Sequence, residues 1–361
     1  MNPLRIVIAG GGTGGHLYPG IAVARELLAR RPDTVVTFAG TARGIESRVI
    51  PREGFPLDLL RSAGIKATSP AALARGLALL PLSGIDAWRI LSRRRPSLVI
   101  GVGGYSSGPV MLLAAMRGIP TLLLEQNAVP GLTNRLLARV VDAAAVTFES
   151  TVSFFGRRGF VTGNPVRPEF FADVQETAVR HDGPPRILIF GGSQGAHAIN
   201  MAMVEAAPRL AAGAGVVVTH QTGERDLDVV RRAYRDARLE ARVEPFLFTM
   251  DREMRNADVI VCRAGATTIA ELTAAGRAAI LIPLPTAADD HQRRNAEVLA
   301  RAGAAELIEQ KDLTGALLAD RLLSLAASEP RRAAIAQAAR RFARPDAARV
   351  IVDRALQLAE R

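Results

Sequence analysis

Two stretches of the chain repeat one pattern. Residues 5–9 form an apolar run of β type that passes into GGGTGG at 10–15, then His16, then an amphipathic stretch with Ile21, Val23, Leu27 and Leu28. The order is strand, glycine loop, helix. An offset of 181 residues brings it back as the apolar run 187–190, GGSQGAH at 191–197, and Ile199, Met201 and Val204. Gly10, Gly11 and Gly14 fall on Gly191, Gly192 and Gly195. In each copy backbone amides converge at a helix start, where unpaired N–H groups and the positive helix end favour anions. Short apolar runs at 35–39, 98–101, 121–125, 143–147, 216–219, 259–261 and 279–282 alternate with helical patterns. That alternation predicts an α/β protein of two doubly wound domains with parallel sheets. Turn formers in GFVTGNPVRP, 159–168, put the join there, with a first domain at 1–163 and a second at 164–340. Ligands in such sheets sit beyond the strand carboxyl ends, so the expected site is a cleft lined by both loops.

Composition narrows the setting. A length of 361 residues exceeds what one core usually serves, and 48% hydrophobic content is that of an ordinary globule. No apolar run approaches the roughly 20 residues a spanning helix needs, and the first residues lack the pattern of a secretory signal, so a cytosolic chain is expected. Cys262 is the only cysteine, which excludes an internal disulfide or thiolate metal site. The net charge of +11 is uneven: residues 1–163 hold 19 Lys+Arg against 9 Asp+Glu, or +10, and the remainder 27 against 26, or +1. A one-sided positive field suits an anionic membrane surface or phosphorylated substrates. With 4% aromatics and no recognisable module, nucleic acid is the weakest option.

Gly10, Gly12 and Gly15 satisfy G-x-G-x-x-G, the dinucleotide fingerprint. That reading wants an acid at the end of the second strand to hold a ribose, and 38–41 has none. The second copy has Ser193 where the middle glycine belongs.

Seven motifs instead resemble, in order and spacing, those of the MurG family of bacterial peptidoglycan glycosyltransferases. They are GGTGGH (11–16), GVGGYSSGP (101–109), LEQNAVPGLTN (124–134), TGNPVR (162–167), GGSQGA (191–196), CRAGATTIAEL (262–272) and DDHQRRNA (289–296). The resemblance covers roughly 5–310 and implies a GT-B fold, two facing Rossmann-like domains with a cleft between them. It also implies a C-terminal helix crossing back to the first domain, a part that the helical stretch at 341–361 suits.

The family's activity implies an inverting transfer of GlcNAc from UDP-GlcNAc to the 4-hydroxyl of undecaprenyl-diphosphate-linked MurNAc-pentapeptide, with no obligatory cofactor. Carried over residue by residue, Ser193 and Arg167 meet the donor diphosphate, with the amides of Ala266, Thr267 and Thr268. Glu271 accepts the ribose hydroxyls, the backbone of Leu247 reads uracil, and Gln292 and Asn295 bind the transferred sugar. Taken without its motif, Glu271 reads rather as a first-turn acid favoured by the helix dipole. Thr13, Gly14 and Gly15 approach the acceptor diphosphate or donor sugar, Asn127 contacts the GlcNAc, and Tyr105 and Glu125 complete the wall. His16 is the candidate base, because imidazole titrates near neutral pH, and a phosphate contact is the equal alternative. Glu125 is the second candidate base, His197 is incidental, and Cys262 is packing.

The implied location is peripheral, at the cytoplasmic face of the inner membrane. Residues 71–95 are its candidate docking face, with Leu73, Leu77, Leu80 and Trp88 among Arg75, Arg89, Arg93, Arg94 and Arg95; Leu79 and Leu82 are the alternative lipid-facing positions. Two rival readings are a UDP-GlcNAc 2-epimerase of similar fold and a non-catalytic nucleotide-sugar binding module.

Overall fold

The computed structural model describes residues 3–62, 70–171, 183–192, 195–213 and 215–360. The chain forms two compact units, one running to Val166 and rejoined from Arg344 onward, the other running Arg167–Ala343. The boundary thus lies three residues beyond the sequence expectation, and the returning segment starts at Arg344 rather than 341.

The first unit is built from β1 (Arg5–Gly10), α1 (Gly14–Arg30), β2 (Val35–Gly40), α2 (Glu46–Arg52), β3 (Leu57–Leu59) and α3 (Pro70–Arg94). It continues with β4 (Leu98–Gly103), α4 (Ser107–Met116), β5 (Thr121–Glu125), α5 (Leu132–Leu137), β6 (Ala143–Val146), α6 (Val152–Phe155) and β7 (Gly159–Val161). The sheet order is β3-β2-β1-β4-β5-β6-β7, all parallel. Residues 159–161, expected in the join, are therefore an edge strand. Successive residues of β1 serve opposite faces, as a pleated strand requires: Ile6 and Ile8 enter the core under α1, while Val7 and Ala9 enter the core under α3 and α4. Being buried on both sides, such strands read as continuous apolar runs.

The second unit repeats the plan with β8 (Arg186–Phe190), α7 (His197–Ala212), β9 (Val217–Gln221), α8 (Leu227–Asp236), β10 (Ala241–Glu244) and α9 (Met250–Asn256). It continues with β11 (Val259–Cys262), α10 (Ala266–Ala275), β12 (Ala278–Leu281), α11 (His291–Arg301), β13 (Glu306–Leu307), α12 (Gly315–Ala327) and α13 (Glu329–Arg340). Its sheet order, β10-β9-β8-β11-β12-β13, repeats that of the first six strands of the seven-stranded first sheet. In both sheets the order reverses beside the strand that carries the glycine loop, which is where ligands bind in open α/β sheets.

The last helix, α14 (Ala347–Ala359), returns to the first unit. Its apolar stripe, Ile351, Val352, Ala355 and Leu358, joins the core that Leu17, Ile21 and Ala24 of α1 also enter, and Arg30 pairs with Asp353. Burying such a stripe contributes about 1.5–3 kcal/mol per large side chain, enough to hold the returning segment.

Candidate active site

The first glycine loop is shaped by close approach. A Cβ at Gly10 would lie 2.4 Å from the Gly103 carbonyl oxygen, and one at Gly104 would lie 2.5 Å from that of Gly11. Gly10, Gly11 and Gly12 have φ of +143°, +146° and +87°. Bare backbone is thus required where β1 passes β4. A buried carboxylate that the sequence reading missed fixes the loop. Glu46, 1% exposed, accepts from the Gly12 amide at 2.8 Å, the Thr41 amide at 2.9 Å and the Thr41 hydroxyl at 2.8 Å. The Gly11 amide meanwhile donates to Gly103. With these two amides engaged, an anion is left with those at the start of α1, beginning at Thr13 and Gly14.

His16 follows in the first turn of α1, its ring against Gly103. Its Nδ1 lies 3.1 Å from Gln126 Oε1, and Gln126 Nε2 donates to the Val102 carbonyl at 3.2 Å. A carbonyl can only accept, so Gln126 must present its oxygen to His16. The proton therefore sits on Nδ1, and Nε2 keeps its lone pair. Burial holds the imidazole below its usual pKa of 6.5, against hydrogen bonds to the Gln126 and Val102 oxygens that raise it. The ring is therefore neutral at physiological pH. Gln126, also absent from the expected set, stands in the same motif as Glu125.

Glu125 has a different task from the base role considered for it. Its Oε1 accepts from the Asn127 amide at 2.9 Å and Asn127 Nδ2 at 3.2 Å, and its Oε2 from Asn134 Nδ2 at 2.8 Å and the Gly131 amide at 3.2 Å. Burial raises its pKa, and these four bonds oppose the rise. With both oxygens spent on residues 127–134, the carboxylate anchors that loop and has no lone pair to spare for a substrate. Asn127 is drawn into the same anchor, while Tyr105 stays half exposed, with its carbonyl accepting from Ser62 at 3.1 Å.

In the second unit, Ser193 lies outside the described residues. Below its loop Gln221, 2% exposed, donates to the Gly192 carbonyl at 2.8 Å and accepts from the Leu247 amide at 3.0 Å. Leu247 stands between Phe246 and Phe248, whose rings meet edge-on at 5.0 Å. Phe248 is 91% exposed, a bare aromatic face beside the backbone expected to read a base. Residues Ala266, Thr267 and Thr268 form the first turn of α10, whose leading amides have no intrahelical acceptor. Glu271 follows on the same helix; burial pushes it up to about 7, and the charge of Arg167 pulls it down. Arg167 is exposed, its guanidinium 5.0 Å from the Phe170 ring centre.

Gln292 Oε1 accepts from the Ala264 amide at 3.2 Å and the Leu284 amide at 3.0 Å, an arrangement that frees its NH₂ to donate outward. Asn295 departs from expectation: it is fully buried, one turn below Gln292, and donates to the Ala264 carbonyl at 3.3 Å. It struts the turn before α10 and does not reach a sugar. Arg263 does similar work, donating to the carbonyls of Ile282 and Pro283 and to Gln310. His197 pairs with Asp226 at 3.0 Å. Cys262 is fully buried, and burial with the Glu271 charge raises its thiol far from reactivity.

The chain matches the glycosyltransferase family 28 N-terminal domain over residues 6–146 and the C-terminal domain of the same family over 186–351. It is 47% identical over 360 residues to the UDP-N-acetylglucosamine--N-acetylmuramyl-(pentapeptide) pyrophosphoryl-undecaprenol N-acetylglucosamine transferase of Anaeromyxobacter sp. (strain K), spanning 99% of this chain and 94% of that one. The chain belongs to glycosyltransferase family 28, in its MurG branch. A family member of the same name from Pelobacter propionicus is 48% identical, over 98% of this chain and 99% of its own. The crystal structure of Acinetobacter baumannii MurG superposes with a TM-score of 0.84 at 32% identity, covering 98% of this chain and 100% of that one. The fold of this family 28 chain is the GT-B type, with two Rossmann-like domains, and the dinucleotide reading falls away.

Proposed function

We propose that this enzyme moves GlcNAc from UDP-GlcNAc onto the 4-hydroxyl of an undecaprenyl-diphosphate-linked MurNAc-pentapeptide, the step that completes the disaccharide of the peptidoglycan precursor. The observation that carries the reading is near-full-length identity of 46–48% to transferases named for this reaction. None of those relatives bears the epimerase name considered as an alternative, and a binding module has no use for a base oriented as His16 is.

In the mechanism we infer, Nε2 of His16 takes the proton of the acceptor hydroxyl as its oxygen attacks the anomeric carbon. The bond from that carbon to the UDP oxygen breaks, the electron pair leaves with UDP, and the α-linkage becomes β. Arg167 and the first-turn amides of α10 offset the charge growing on the diphosphate, without an obligatory metal. Glu271 holds the ribose hydroxyls, the Leu247 backbone with its flanking phenylalanines holds uracil, and Gln292 holds the transferred sugar. Asn127 and the start of α1, Thr13 to Gly15, serve the acceptor side.

The acceptor's lipid implies work at the cytoplasmic face of the membrane. No helix among the described residues is long and apolar enough to cross a bilayer. On α3 the outward apolar residues are Leu80, Ile85 and Trp88, while Leu79 and Leu82 are half-buried. The side chains of Leu73, Arg75 and Leu77 lie outside the described residues. Incubation with UDP-GlcNAc and a short-chain lipid-linked muramyl acceptor, with products weighed by mass spectrometry, tests the proposal: a mass gain of one GlcNAc residue and release of UDP are expected. Free N-acetylmannosamine or its UDP form would point to the epimerase instead.

A further inference from the structure

In the first unit an apolar groove of about 730 Å³ lies between α3, α4 and α5. Its walls carry Leu80, Ile85, Trp88, Leu112 and Leu136, each 42% or more exposed, so a band of large apolar side chains stands open to water. Such a band is uncommon on a monomeric surface and marks a binding site. The groove is also bare along part of its length, because two lining positions are Gly84 and Gly108. A Cβ at Gly84 would meet no atom within 4 Å. The shape suits a slender chain. The polar end is Tyr105 and Ser62, joined by a hydrogen bond. Tyr105 directly follows Gly103 and Gly104, which press against His16 and the Gly11 carbonyl. The groove therefore opens beside the backbone that shapes the acceptor-side glycine loop.

We propose that this groove binds the diphosphate-proximal isoprene units of the acceptor's polyprenyl chain. The inference rests on the transferase reading above and adds a chain-recognising subsite to it. A volume near 730 Å³ is that of a site for a ligand of drug size, so it takes a few isoprene units and leaves the rest of an undecaprenyl chain in the bilayer. The contact is non-directional burial of apolar surface, in keeping with walls that offer almost no hydrogen-bonding groups.

Trp88 is the only tryptophan of the chain and lines the groove, so its emission reports occupancy directly. The full chain is titrated with farnesyl diphosphate in buffer free of vesicles and detergent, with inorganic diphosphate as the control. A saturable blue shift with the first and none with the second is expected. Gly84→Leu, which fills the groove with a residue that favours helix, and Leu112→Glu, at an exposed position, should each weaken the shift by about tenfold or more. Circular dichroism confirms that both variants fold. In the transfer assay, Gly84→Leu should raise KM for a prenyl-bearing acceptor by a similar factor and leave turnover of a methyl-diphosphate muramyl acceptor unchanged. No shift, an equal shift in the variants, or variants that lose only vesicle binding would overturn the proposal, the last showing a bilayer contact. A parent protein that binds farnesyl diphosphate yet transfers to no acceptor would instead refute the transferase reading and leave the groove standing as a prenyl site.

Discussion

Gln126 fixes the tautomer of His16: its oxygen lies 3.1 Å from Nδ1 because its nitrogen is committed to the Val102 carbonyl. A base oriented in this way loses function when protonated. Its pKa in the folded protein lies below 6.5, so the acid limb of kcat/KM should lie below 6.5 and activity should be flat above it. His16→Ala should lower kcat about 10²- to 10⁴-fold with little change in UDP affinity. Gln126→Glu places a carboxylate against Nδ1, which raises the imidazole pKa and should move the acid limb up. Unaltered pH profiles in both Gln126→Glu and Gln126→Leu would remove His16 from the proton transfer.

Glu271 gives donor binding a pH dependence of its own. An ionised carboxylate can accept both ribose hydroxyls, but burial holds this one at about 7, so below that pH it is protonated in the unliganded protein. UDP affinity should strengthen as pH rises from 6 to 8 by calorimetry, and Glu271→Gln should flatten the curve. Folding responds the other way: a carboxyl raised above its unfolded value of 4.5 contributes most below that value, and the contribution is lost as pH rises towards 7. Glu271→Ala should cost on the order of 1.5–3 kcal/mol of UDP binding. Tight UDP binding by that variant would put the ribose elsewhere.

Glu46 should matter to folding before it matters to catalysis. Truncation to alanine orphans the amides of Gly12 and Thr41 and the Thr41 hydroxyl. A donor left unpaired costs up to about 1–3 kcal/mol, and less where water reaches it, as at the exposed Gly12. Urea unfolding should show a midpoint well below the parent's, with Glu46→Gln between the two. A Glu46→Ala protein as stable as its parent would mean the loop holds its shape without the carboxylate.

How far the sequence spoke depended on how local each signal was. Strands buried on both faces, such as those holding Ile6, Ile100 and Ile260, announce themselves as apolar runs. The edge strands β3, β7, β10 and β13 have two to four residues each and include Asp58, Gly159, Arg242 and Glu244, so no periodicity marks them. The glycine loops were legible because close approach of backbone demands that residue. The helix α11 repeat His291, Gln292, Asn295 carries no hint that Gln292 faces outward and Asn295 inward; that depends on how the helix is rotated against the turn before α10. Glu46 had no signal at all, since its partners, Thr41 and Gly12, meet it only after β1 and β2 pair. Glu125 stands out in the sequence only through its motif, as cleft wall or second base; its anchoring task depends on where Asn127, Gly131 and Asn134 are placed.

If transfer needs no metal, the charge of the departing diphosphate falls to Arg167 and the α10 amides. Activity should then survive EDTA, and Arg167→Ala should lower kcat/KM by at least about tenfold, a charge-assisted contact being worth about 1.5–3 kcal/mol. Loss of activity on chelation, restored by Mg²⁺, would reassign that role.

Membrane attachment is the prediction that the structure changes most. The sequence places Arg93 and Arg94 among the docking arginines, yet both pair with Asp58, which is 6% exposed, Arg94 through bonds of 2.7 and 2.9 Å. Removing Arg94 would leave a buried carboxylate short of its partner, so a lost interaction with lipid could not be told from lost folding. Arg89 and Arg95 are exposed; Arg89 acts on Asp86 through its charge alone, and that carboxylate is held by Arg61. They are the residues to change. Each basic side chain near an anionic leaflet contributes about 1 kcal/mol, and salt screens it. Arg89→Gln with Arg95→Gln should weaken co-sedimentation with anionic vesicles several-fold at low salt and little at high salt, without altering binding to neutral vesicles or the transfer rate to a soluble acceptor. Binding to anionic vesicles that is unmoved by both the substitutions and salt would rule out electrostatic attachment through these two arginines.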